Sequence, residues 1–63
     1  MTEYEMEEIA RGNIERHLGD VATPDSIYDE AYTLGVDALL DAGVERCEAV
    51  YIASRVAQLF AQP

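Results

Sequence analysis

Apolar side chains recur at Met6, Ile9, Ala10, Ile14 and Leu18, the three-and-four spacing that gathers residues on one face of an α-helix. Thr2 and Glu5 stand in the S/T-x-x-E relation of a capping box, so the pattern predicts a helix over 3–18. Gly19 sits where a left-handed C-cap belongs. Gly12 inside the segment costs about 1 kcal/mol relative to Ala and makes this the weakest of the helices. A second stripe joins Ile27, Tyr28, Ala31, Leu34, Ala38, Leu39 and Ala42 in an arc of roughly 140°. Thr23-Pro24 reads as an N-cap followed by proline at the first helical position. Asp25 favours the positive helix end, and Gly43 closes a helix expected over 24–42. A third helix is expected over 44–62. Its apolar positions are Ala49, Val50, Ile52, Ala53, Val56, Ala57, Leu59, Phe60 and Ala61, an arc of about 200°. An arc that wide belongs to the central element of a bundle or to an oligomer interface. No segment alternates with period two long enough to be a strand. The reading is an all-α, three-helix bundle occupying residues 1–63 as one domain, with the third helix at the centre of its core.

Sixty-three residues make a small core of slight net stability, so a monomer and a homodimer through the third helix are both compatible with it. The hydrophobic fraction, 49%, is too high for a disordered chain. No apolar run approaches the ~18–20 residues needed to span a bilayer. The acidic N-terminus is unlike a secretory signal, and Cys47 has no second cysteine to pair with. The expected location is therefore the cytoplasm, with no membrane partner. All four basic residues are Arg, accompanied by nine alanines, a composition that suits a GC-rich genome or a salt-loving organism.

Charge changes the picture most. Thirteen acidic residues against four basic ones give a net charge of −9, which excludes an ordinary nucleic-acid binder. Three helices with a glycine turn have the outline of a helix-turn-helix. The helix after that turn, however, sets Arg46 and Arg55 against Glu45 and Glu48, so direct contact with nucleic acid is not expected. Catalysis is not expected either. Nucleophilic chemistry needs a base beside the nucleophile, whereas Cys47 and His17 fall on different helices with no flanking motif. His17 is accounted for as a cation at a helix C-terminus. One Cys and one His fall short of a zinc site, the calcium-loop pattern D-x-[DN]-x-[DN]-G does not occur, and no cofactor is implied.

The acids themselves are patterned. Asp25, Asp29, Thr33, Asp37 and Asp41 are spaced by four and form one ridge about 24 Å long. Glu30 lies beside it, and the second helix has no basic residue. Like charges at this spacing destabilise a helix by a few tenths of a kcal/mol per pair, a local cost expected of a functional surface. Glu7, Glu8 and Glu15 extend the acidic surface on the first helix. Thirteen carboxylates along a bundle of roughly 25–30 Å give one per ~2 Å, near the ~1.7 Å charge spacing of duplex DNA. Val36 and Leu40 fall between the aspartates, where a protein partner would find apolar contact inside a polar rim.

With its small size, its helices and acids such as Glu7, Glu8, Asp25, Asp29, Asp37 and Asp41, the chain resembles phage-encoded anti-CRISPR and anti-restriction proteins. Several of these act as DNA mimics. The resemblance implies a viral inhibitor working in the host bacterial cytoplasm. It would block a basic nucleic-acid-binding protein or a CRISPR effector subunit. Two other readings remain: an antitoxin-like or small-subunit module docking through the third helix, and an acidic structural dimer of a halophile.

Overall fold

A computed structural model describes residues 1–18 and 26–62. It contains three helices, α1 (Glu3–Leu18), α2 (Ile27–Asp41) and α3 (Arg46–Ala61), packed into an all-α bundle with extents of 31 × 18 × 16 Å. None of the helices among the described residues is long and apolar enough to cross a membrane.

The capping box at the start of α1 is formed on both sides. The Glu5 amide donates to Thr2 Oγ1 at 3.2 Å, and the Thr2 amide donates to Glu5 Oε1 at 2.8 Å. Both orphan donors of the first turn gain acceptors this way. The expected caps at Gly19 and Thr23-Pro24 lie outside the described residues. α2 begins at Ile27 with Ser26 in the N-cap position, later than the expected start at residue 24.

The end of α2 is a Schellman closure. The Val44 amide donates to the Leu39 carbonyl at 2.9 Å and the Gly43 amide to the Leu40 carbonyl at 3.0 Å. Gly43 adopts φ +91°, the conformation that glycine alone takes without strain. This arrangement corrects the expected start of α3. The Val44 amide is spent closing α2 and its side chain packs against the core, so α3 starts two residues later, at Arg46. Glu45 is its extended N-cap residue.

The core holds Met6, Ala10 and Ile14 from α1, Ala31 and Leu39 from α2, and Ala49, Ile52, Ala53, Val56 and Ala57 from α3. α3 contributes most to this set, yet the shared neighbour is α2, which packs extensively on both other helices, while α1 and α3 meet least. The third helix thus supplies half of the core, as expected, but the helix packed most extensively on both others is α2. Gly35, a buried residue of α2 absent from the expected apolar stripe, marks the close approach of α2 and α3. A Cβ there would lie 3.0 Å from Ala53 Cβ and 3.4 Å from Ala53 Cα, with Ala10 Cβ of α1 in ordinary contact at 3.6 Å. Tyr28, Ala42, Leu59 and Ala61, expected on apolar faces, are exposed.

Candidate functional site

Side chains four apart on a helix form a slowly winding row. On α2 that row runs through Asp29, Thr33, Asp37 and Asp41, all exposed; Asp25 lies outside the described residues. The Thr33 hydroxyl turns back to donate to the Asp29 carbonyl at 2.9 Å. Asp29, Glu30 and Asp37 line one groove of about 590 Å³ with Asn13, His17, Thr33 and Leu34. Glu30 is half-buried, and its Oε2 is shielded from solvent without a hydrogen-bond partner among the described residues. Asn13 Nδ2 donates to the Leu34 carbonyl at 2.9 Å, tying α1 to α2 across this groove.

A smaller cleft of about 200 Å³ opens on the α3 side of the ridge. It is lined by Tyr32, Thr33, Val36, Asp37, Leu40, Arg46 and Val50. Leu40 is 39% exposed there, as the sequence led one to expect. Val36 is half-buried and packed against the core, because it lies ~100° around the helix from Gly35, the core-facing residue before it, on the flank that α3 approaches. Its placement among the exposed aspartates is corrected to the cleft wall. Asp37 and Thr33 border both depressions.

The α1 acids stand apart from this arrangement. Arg11 makes an ion pair with Glu8, and the hydrogen bond to that carboxylate raises the guanidinium pKa above its usual value. Arg55 of α3 reaches across to Glu3 at 3.6 Å and Glu7 at 3.8 Å. Glu5 serves the cap, and the Thr2 amide bonded to its carboxylate lowers its pKa. Glu15 is exposed, seven residues from Glu8 and so on the same outward face of α1. Of the eight expected acidic contacts, the structure therefore gathers Asp29, Glu30 and Asp37 in one groove. Asp41 continues their row, while Glu7 and Glu8 already hold arginines of the chain itself.

The ion pairs are distributed unevenly. Each of the three in the described residues uses an α1 carboxylate, and none uses an acid of α2. Eleven of the thirteen acidic residues are among the described residues, and none is fully buried, although Glu30 Oε2 is shielded from solvent. The sequence reading missed Asn13 and His17 as groove residues. Their signal was available: two polar residues four apart, beside the apolar stripe of α1. No group of three or more His, Cys, Asp or Glu side chains suited to a metal occurs among the described residues, and Cys47 is an exposed free thiol. Compared with protein-family models, curated proteins and solved structures, the chain matches none.

Proposed function

We propose that the protein is an acidic inhibitor that occupies a basic nucleic-acid-binding surface and blocks it by competition, as a DNA mimic of the anti-CRISPR kind would. The observation that carries this reading is the bare charge of α2. Asp29, Glu30, Asp37 and Asp41 crowd one side of a helix with no basic residue, while the ion pairs among the described residues all use carboxylates of α1. Carboxylates ~6 Å apart along a helix row suit Arg and Lys side chains that otherwise hold phosphates. The 31 Å length of the molecule and its net charge of −9 correspond to one net charge per about 3.4 Å, the spacing along one strand of B-DNA rather than both. Leu40 and the cleft beside Asp37 would add apolar contact within the charged rim. The contact surface is thus centred on α2, with Glu15 peripheral and Glu7 and Glu8 left to the framework of the fold.

The test is displacement of labelled target DNA from purified CRISPR effector complexes, read by electrophoretic mobility. The protein should release the DNA, and release should weaken steeply with added salt. The triple variant Asp29→Lys, Asp37→Lys, Asp41→Lys should lose this activity with its helical circular dichroism intact. Single Asp→Asn changes should do little, because an exposed ion pair is worth only ~0–1 kcal/mol. Full displacement by the triple variant would overturn the mechanism, as would effector binding that leaves the DNA in place.

A further inference from the structure

The outward face of α3 differs from the rest of the surface. Cys47, Tyr51, Arg55 and Leu59 follow one another at intervals of four and are all exposed, Tyr51 by 54% and Leu59 by 69%. The Arg55 guanidinium lies over the Tyr51 ring, 5.6 Å from its centroid. Glu48, Gln58 and Gln62 border the row. From Cys47 to Gln62 the helix gives this face one acid and one base, and Glu3 and Glu7 of α1 lie against Arg55 at its edge, so its acids are largely paired and it is less charged than the bare ridge of α2. Two copies of so acidic a protein repel each other least where their acids are few and paired, and this face meets that condition while also exposing two large apolar side chains.

We infer that α3 is the contact face of a homodimer in which two copies of the helix pack antiparallel. The row is self-complementary in that direction. With the two-fold axis passing midway between Tyr51 and Arg55, Tyr51 of each copy meets Arg55 of the other, Cys47 meets Leu59, and Glu48 meets Gln58. Aromatic rings and guanidinium groups attract, and every contact occurs twice, as an isologous interface requires. Parallel packing would set Arg55 on Arg55 and Glu48 on Glu48. A standard interface buries ~800 Å² per partner, about a fifth of the 4239 Å² exposed by this chain. One helix face offers less, so the dimer is reversible and depends on concentration. Both faces can work together: α2 takes the basic partner and α3 joins two copies.

Sedimentation velocity over a concentration series should move the mass from 7.0 kDa toward twice that value, and more readily as salt rises, because salt screens the mutual repulsion. This is opposite in sign to the salt response of binding through α2. Leu59→Glu should abolish the dimer and leave the helical signal unchanged. Orientation is read from Leu59→Cys under mild oxidation. Antiparallel packing places the new thiol against Cys47 of the other copy, giving a disulfide-linked dimer. Within one chain the two positions are ~18 Å apart along the helix, too far to bridge. The unaltered protein should form little such dimer, since its two Cys47 thiols lie at opposite ends of the contact. A mass of 7.0 kDa at every concentration and salt level, a dimer that survives Leu59→Glu, or efficient Cys47–Cys47 linkage without cross-linking in Leu59→Cys would each overturn the inference.

Discussion

Replacing Gly35 with Ala sets two opposed effects against each other at the point where the helices converge. Alanine in a helix interior is favoured over glycine by about 1 kcal/mol. Against this, the added methyl would lie 3.0 Å from Ala53 Cβ, where carbon atoms prefer ~3.5–4.0 Å. Forcing the helices apart costs typically ~1–3 kcal/mol, so Gly35→Ala should destabilise by about 1 kcal/mol, or roughly 4–8 °C in Tm for a domain this small. The same substitution made in an Ala53→Gly protein should behave differently. The obstructing methyl is gone, and the next atoms are Ala53 Cα at 3.4 Å and Ala10 Cβ at 3.6 Å. The propensity gain then dominates and Gly35→Ala should stabilise. Thermal melts of the four proteins, followed by circular dichroism, form a complete double-mutant cycle with an expected coupling of about 1–3 kcal/mol. Equal Tm shifts in both backgrounds would refute the close approach of α2 and α3.

Three further outcomes follow from other contacts. Ile52→Ala empties a fully buried site and should cost about 2–5 kcal/mol, whereas Phe60→Ala, half-buried at the end of α3, should cost clearly less in the same urea titration. Asn13→Ala removes the bond to the Leu34 carbonyl and should cost about 0.5–1.5 kcal/mol, with faster hydrogen exchange around the α1–α2 groove as the specific sign. The capping carboxylate of Glu5 has a lowered pKa, so its contribution is present above the ordinary carboxylate value and is lost as pH falls through the lowered one. Amide exchange in the first turn of α1 should quicken over that acidic window, and the pH response should flatten in Glu5→Gln, whose side chain does not titrate.

The sequence disclosed whatever rests on local chemistry. The capping box at Thr2 and Glu5, the turn at Gly43 and the bounds of α1 follow from neighbouring residues, and a hydrophobic period of three to four is sufficient to place Met6, Ala10 and Ile14 inward. It was less informative where tertiary packing decides. Gly35 carries no side chain and so adds nothing to an apolar stripe, yet it stands where α2 and α3 approach most closely. The start of α3 was misplaced because Val44 looks like a helical apolar residue, and only the bond from its amide to the Leu39 carbonyl assigns it to the preceding turn. For the candidate surface, the row through Asp29, Asp37 and Asp41 was legible from spacing alone. The division between paired acids on α1 and bare acids on α2 was not, because Arg55 meets Glu3 and Glu7 across about fifty residues of chain.

Under the proposed function, the uncompensated charge of α2 would also tie the stability of the fold to its occupancy. In the free protein Asp29, Asp37 and Asp41 repel one another at helical spacing, and that repulsion is present only while the helix is formed. A basic partner that binds the folded chain and not the unfolded one relieves it and adds its own linkage term, about 2.7 kcal/mol at a hundredfold excess over Kd. For a domain of this size such a gain is worth some 10–20 °C in Tm. The melting temperature would then serve as a gauge of engagement by the proposed partner, and the fraction of protein unfolded at any moment would fall as the α2 surface fills.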